Sequence, residues 1–161
     1  MQLTRAADYA IRVMTHLAGL PAGTRVSRSD LAVTAECPEQ FLSKVLQHLC
    51  RAGLILSYRG NTGGFTISVA GSAASVLTVV EAIEGPLRLN LCLQSDHACE
   101  RQGWCAAHAV WAEAQQAMVA VLERATIAGL AQPAAAPPNP AGSLIESSSW
   151  SLPLPPSSPG A

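Results

Sequence analysis

The sequence is poor in charge and has no long apolar run, and each deficit excludes a class of protein. Charged residues make up only 13% of the 161, against 49% hydrophobic, a balance that favours a packed, helix-rich protein over a disordered one. No apolar stretch approaches the roughly 18 residues that a membrane-spanning helix needs. The opening residues Met1-Gln2-Leu3-Thr4-Arg5 lack the charged-then-apolar layout of a secretory signal. Enzyme signatures are missing as well: there is no phosphate loop, no dinucleotide fingerprint and no nucleophile–base pairing at a recognisable spacing. The five cysteines are an odd set, which argues against a fully paired disulfide framework and for a reducing, cytoplasmic setting.

What charge there is lies unevenly. Residues 1–70 hold seven basic and four acidic side chains, whereas residues 71–161 hold three basic and seven acidic. The first half therefore carries +3 and the second −4 within a net of −1, an asymmetry that turns the first half toward an anionic partner.

Hydrophobic spacing predicts a helix over residues 3–18, with Ala7, Ala10, Ile11, Met14, Leu17 and Ala18 on one face. After the break at Pro21-Ala22-Gly23, Ser27 is a good N-cap and Asp30 resembles a capping box for a short helix over 28–34. Pro38 fits the first position of a helix over 38–51 with a buried stripe of Phe41, Leu42, Val45, Leu46 and Leu49. That helix presents Gln40, Ser43, Lys44, Gln47 and His48 on its other side. Strands over 54–58 and 65–69 flank a turn that contains Arg59, Gly60, Gly63 and Gly64. Two helices joined by a short turn and followed by a Gly-rich hairpin make a winged helix-turn-helix pattern. A helix over 76–83 follows, stopped by Gly85-Pro86, and a longer one over 106–126. The latter has a stripe of Val110, Trp111, Ala114, Ala117, Met118, Val121, Leu122 and Ala125, which needs a partner surface and suits a second subunit. The fold class is thus mainly α with a small β-hairpin wing. Its parts are a DNA-binding domain at 1–70, a cysteine loop and dimerisation helix at 71–131, and a tail at 132–161. Residues 133–161 contain eight of the eleven prolines and one charge, Glu146, so this tail is expected to be disordered, with Trp150 and Leu152 at most a weak docking motif.

Three cysteines lie between the last two helices, as Cys92-x6-Cys99-x5-Cys105. Thiolates at such spacing suit a soft metal or an iron–sulfur cluster, and zinc competes for the same donors. Three is one short of a complete set. His108, three residues after Cys105, is a candidate for the fourth place, and His97 is an outside one. Cys37 and Cys50 fall within apolar helical patterns and read as packing residues.

The chain resembles the IscR/NsrR-type winged-helix iron–sulfur transcriptional regulators. The resemblance covers about residues 1–130 and rests on a series of segments in order. These are Leu3-Thr4, Asp8-Tyr9-Ala10, Phe41-Leu42, Val45-Leu46, Ala52-Gly53-Leu54-Ile55, Arg59-Gly60-x-x-Gly63-Gly64-Phe65, Ala82-Ile83-Glu84-Gly85-Pro86 and the cysteine trio. It implies a homodimeric DNA-binding regulator, a family that includes nitric-oxide-sensitive repressors. Its operator binding would respond to nitric oxide, iron or redox state through a cluster of the 2Fe–2S or 4Fe–4S type. Cys92, Cys99 and Cys105 would be ligands. His108 matches the fourth ligand of 2Fe–2S members, and Asp8 matches a residue that reaches a 4Fe–4S cluster from the partner subunit. Gln40, Ser43 and Lys44 occupy the family's base-reading positions, and Arg59 would enter a minor groove. The cysteine spacing is wider than the five-and-five of those relatives. The alternative is a zinc-binding or thiol-redox protein on a winged-helix scaffold.

Overall fold

A computed structural model of the chain describes residues 3–60, 63–93, 99–101 and 103–132. His97 and the tail with Trp150 and Leu152 lie outside the described residues. Helix α1 (Arg5–Ala18) starts where the Thr4 hydroxyl accepts from the Ala7 amide, and α2 (Arg28–Thr34) where Ser27 accepts from the Asp30 amide. The Ser27 hydroxyl also donates to the Asp30 carboxylate at 2.6 Å, so the expected box closes through side chains. Helix α3 (Glu39–Arg51) begins one residue later than expected, with Pro38 as its cap. The turn between α2 and α3 places Glu36 at φ 53°, held by an ion pair to Arg12 at 3.1 Å.

Strands β1 (Ile55–Tyr58) and β2 (Gly64–Ile67) pair antiparallel, with Ile55 opposite Ile67 and Tyr58 opposite Gly64. Val26 and Phe65 exchange two backbone hydrogen bonds of 2.9 Å, which moors the wing to the segment before α2. The second strand ends at Ile67 rather than at 69. Ser68 leaves the sheet because its hydroxyl donates to the Gly53 carbonyl at 2.6 Å and accepts from the Gly71 amide, starting an unexpected short helix, α4 (Val69–Ala73). A Cβ on Gly71 would collide with the Leu54 carbonyl, so α4 can lie this close to the hairpin only with glycine there.

Helix α5 (Val76–Glu84), capped by Ser75, stops at Gly85 with φ 80°. A 3-10 turn at Leu91–Leu93 precedes α6 (Ala106–Arg124) and α7 (Ile127–Ala131). The long helix therefore ends two residues early. Ala125 is extended, its carbonyl accepts from the Val76 amide at 2.8 Å, and the Ile127 amide donates to Ala74 at 2.9 Å. These bonds seat Ile127, which is fully buried, in the core.

That core is built by α1, α2, α3 and α5 around Met14, Leu31, Leu42, Leu46, Leu49, Val79 and Val80. Burial of one such side chain contributes about 1.5–3 kcal/mol. Four of the five residues expected in the α3 stripe are buried; Phe41 is 42% exposed. It borders the stripe and meets Tyr9 of α1 edge-on at 5.8 Å.

Candidate functional site: nucleic-acid interface and cysteine segment

Because Leu42, Val45, Leu46 and Leu49 anchor α3 in the core, its opposite side is left in solvent. Gln40, Lys44, Gln47 and His48 are exposed there. Ser43 is half-buried and its hydroxyl donates to the Glu39 carbonyl at 3.1 Å, which leaves it as an acceptor toward any ligand. The wing stands beside this helix. Arg59 is exposed at the start of the turn, and Gly60 has φ 101°. A Cβ at Gly63 would lie 2.5 Å from the Tyr58 carbonyl, and one at Gly64 2.7 Å from that of Val26. Those two contacts are why the turn carries paired glycines.

Three cations that sequence reasoning did not single out complete the surface. The Arg25 guanidinium lies 4.0 Å from the centre of the Tyr58 ring, and Arg28 pairs with Glu39 at 2.7 Å at the head of α3. Arg51 joins Arg28, Ser43, Gln47, Cys50 and Phe65 in lining a groove of about 380 Å³ between α3 and the wing. Five of the seven basic residues of the first 70 thus gather on the segment before α2, on α2, on α3 and on the hairpin: Arg25, Arg28, Lys44, Arg51 and Arg59. Only the +3 balance of that half signalled them, since they come from separate stretches of sequence.

The cysteines divide into two kinds. Cys37 is buried between α2 and α3, and burial pushes its thiol up. Burial likewise raises the Cys50 thiol, against an opposing hydrogen bond with Ser57. Cys37 lies in the core and Cys50 packs against it, the place of packing residues. Cys92, Cys99 and Cys105 are free and half-buried. Cys92 sits in the 3-10 turn and Cys105 at the N-cap of α6, where it makes no side-chain cap bond. The turn packs on α6, and just before it the Leu89 amide donates to the Gln115 side chain at 3.1 Å.

His108 shares the first turn of α6 with Cys105, whose carbonyl accepts from the His108 amide at 3.0 Å. Its Nδ1 is buried without a hydrogen-bond partner among the described residues. Asp8 lies elsewhere, exposed on α1 and paired with Arg12 at 3.0 Å. That carboxylate holds the Arg12 guanidinium above its ordinary value, with Glu36 adding to the effect. Among the described residues, no three His, Cys, Asp or Glu side chains are grouped as a metal site requires. The donor chemistry nonetheless fits a soft metal: three thiols and an unsatisfied imidazole nitrogen occur on one segment. Residues 94–98, between Cys92 and Cys99, lie outside the described residues.

Helix α6 has no buried residue. Its expected stripe divides: Met118, Leu122 and Ala125 pack against the chain's own core, while Val110, Trp111, Ala114, Ala117 and Val121 are exposed. Val110, Ala114, Ala117 and Val121 follow steps of four, three and four, with Trp111 three before Ala114, so the outward set shares one helix face.

A family model, Rrf2, described as an iron-dependent transcriptional regulator, matches residues 3–133. The chain belongs to the Rrf2 family. It is therefore a DNA-binding transcriptional regulator. Two relatives from Mycobacterium tuberculosis, strains CDC 1551 and H37Rv, carry the provisional name of HTH-type transcriptional regulator. Each is 33% identical over 131 residues, which is 81% of either chain. Among solved structures, the oxidised form of CymR from Staphylococcus aureus aligns with a TM-score of 0.65 at 23% identity, over 82% of this chain and 97% of that one. IscR of T. potens aligns at 0.64 and 22%, over 81% and 85%. CymR of B. subtilis, described as the global cysteine regulator of that organism, aligns at 0.64 and 23%, over 81% and 96%. At these identities the structures show the fold, which is the winged-helix architecture read from the sequence. Among the described residues, no helix of this Rrf2-family chain is long and apolar enough to cross a membrane.

Proposed function

We propose that this Rrf2-family regulator is a homodimer that reads an operator through residues 1–70 and senses its signal through residues 71–131. The sensor is an iron–sulfur cluster on Cys92, Cys99 and Cys105, with His108 as the fourth ligand. The observation that carries this reading is the Nδ1 of His108, buried and, among the described residues, without a partner, one helical turn from Cys105. A buried polar atom without a partner costs about 1–3 kcal/mol, and ligation of a metal removes that cost. Asp8 already has Arg12 as a partner in its own chain, which favours His108 over it. Bound there, a cluster would supply a centre reactive toward nitric oxide, oxidants or iron depletion.

The chain's own residues would convert occupancy into a change of shape. Cys105 heads α6 and Cys92 sits in a turn packed on that helix, so drawing the thiolates together ties the turn to α6. The exposed Val110, Trp111, Ala114, Ala117 and Val121 offer α6 a seam for the same helix of a second copy. Gln40, Ser43, Lys44 and Gln47 would meet base edges and phosphates, Arg59 a minor groove, and Gly60, Gly63 and Gly64 would let the wing backbone approach.

Anaerobic purification tests this reading. The protein should be brown and contain iron and sulfide. Alanine at Cys92, Cys99 or Cys105 should abolish the colour, while alanine at Cys37 or Cys50 should leave it. His108→Ala should alter the spectrum and shorten the life of the cluster; an effect of Asp8→Ala instead would reassign the fourth ligand. A colourless protein with bound zinc would replace the cluster by the metal that takes the same donors.

A second reading has its own support. The three thiols are half-buried rather than enclosed, and one structural neighbour was solved in an oxidised form. Direct thiol oxidation would then be the signal, and operator affinity of the colourless protein would follow thiol oxidation.

A further inference from the structure

On the described surface, a broad apolar groove belongs to neither the proposed DNA face nor the cysteine segment. It has a volume of about 730 Å³ and lies between the end of α1, the base of the hairpin, α4 and α7. Ala18, Leu20, Ile67, Val69, Ala73 and Ala128 line it, together with Ala22, Gly23 and two serines, with no charged side chain among them. Val69 is 91% exposed. Side chains this small at a concave surface leave room for a large ring.

We propose that the occupant is the chain's own C-terminal segment around Trp150-Ser151-Leu152-Pro153-Leu154. The point where the described chain ends supports this. Helix α7 lines the groove through Ala128, and the Ala131 carbonyl lies 3.7 Å from where a Cβ on Gly19, at the end of α1, would be. The chain therefore leaves the described structure at the groove's rim, with 29 residues still to come, 133–161. Seventeen residues, 133–149, separate Gln132 from Trp150, enough chain at roughly 3.3 Å per residue to return to any part of the groove.

The composition of the segment matches the surface. Trp150, Leu152 and Leu154 alternate with Ser151 and Pro153, a two-residue period that puts all three apolar side chains on one side of an extended chain. Pro153 disfavours helix for its neighbour and brings no N–H that an apolar groove would leave unsatisfied. Residues 147–161 carry no charge, as the groove carries none. The family match stops at residue 133, so this contact is a feature of this chain and not one the family supplies. Ile67 and Ser68 join the groove to the end of β2, so an occupied groove also braces the base of the wing.

Hydrogen exchange on three proteins tests the contact: the full chain, a chain ending at Gln132, and the full-length double variant Trp150→Ser, Leu152→Ser. A tethered segment whose affinity equals its effective concentration is docked about half the time. Amides of Val69–Ala73 should therefore exchange at least about twofold faster in both altered proteins, with those of α3 unchanged. The double variant keeps the chain length, so it separates docking from fraying of α7. A synthetic peptide of residues 143–154 added to the shortened chain should slow the same amides. Equal rates in the three proteins would overturn the proposal. So would changes confined to α6, or α4 protection that rises with protein concentration in all three, which would seat a second copy in the groove.

Discussion

The two halves of the chain are finished to different degrees. In the first, α1 and α2 are closed by side-chain caps, α3 by a proline, and the apolar stripes converge on one core. Apart from Leu87 and Ile127, every buried hydrophobic residue lies at or before Val80. Beyond Val80, α6 has no fully buried residue, its N-cap makes no side-chain bond, three thiols are half-exposed and, among the described residues, the His108 Nδ1 is buried without a partner. Under the proposed function, a well-packed reading head, whose core takes in α5 and Ile127, is joined to a segment whose groups await partners, and that segment would receive the signal. Elements that respond to ligands are drawn from the less stable parts of a fold.

Mutations that probe each half should differ accordingly. The largest effect belongs to the core of the head: Leu49→Ala should lower unfolding free energy by about 2–5 kcal/mol in urea titration, whereas Val121→Ala on α6 should change subunit stability by no more than about 0.5 kcal/mol. Equal losses would erase the distinction between the halves. Gly71→Ala should cost about 1–3 kcal/mol, because the added methyl meets the Leu54 carbonyl. On DNA, Arg59→Ala and Lys44→Ala should each weaken operator binding by about 1–3 kcal/mol with the melting temperature unchanged. A phosphate contact is recognised by a salt slope reduced by about one, a base contact by altered sequence preference. Unchanged affinity and salt dependence in both would remove the wing and α3 as the reading surface.

Charge placed on the outward side of α6 tests the dimer. Ala117→Glu with Val121→Glu should yield folded monomers in sedimentation, since both positions are exposed and leave the core untouched; a dimer that persists would move the seam elsewhere. Leu122 is unsuited to this test because it packs on its own chain. The smallest effect is a gain: Glu36→Gly should stabilise the chain by up to about 1 kcal/mol. Glycine accepts φ 53° without strain, and the lost pair with Arg12 is solvent-exposed.

The legibility of each part in the sequence follows from what determined it. Helices whose apolar spacing and caps agree, such as that from Arg28 to Thr34, were readable to the residue. The wing was readable because its glycines are required by backbone contacts at Gly63 and Gly64. Helix α4 was not, since Val69-Ala70-Gly71 reads as strand and turn until the Ser68 hydroxyl finds Gly53 and Gly71 across the fold. The break at Ala125 was hidden for the same reason: bonds from Val76 and to Ala74 stop a helix whose local pattern continues. The roles of Met118 and Leu122 were misassigned because periodicity shows which residues share a helix and not which of two surfaces each one meets. In the surface proposed to face DNA, Gln40, Lys44 and Arg59 could be singled out from their place in the motif, and they are exposed, whereas Arg25 is picked out only by its stacking on Tyr58.

The most direct test of a reading head governed by a cysteine sensor is operator affinity. It should be measured on one anaerobically purified preparation before and after a chelator strips its iron, with Cys99→Ala carried through the same steps. Coupling between sites of this kind is about 1–3 kcal/mol, so the wild-type affinity should change by about fivefold or more on loss of colour, and that of Cys99→Ala should not change. Wild-type protein that loses its colour and binds the operator with the same affinity would contradict it.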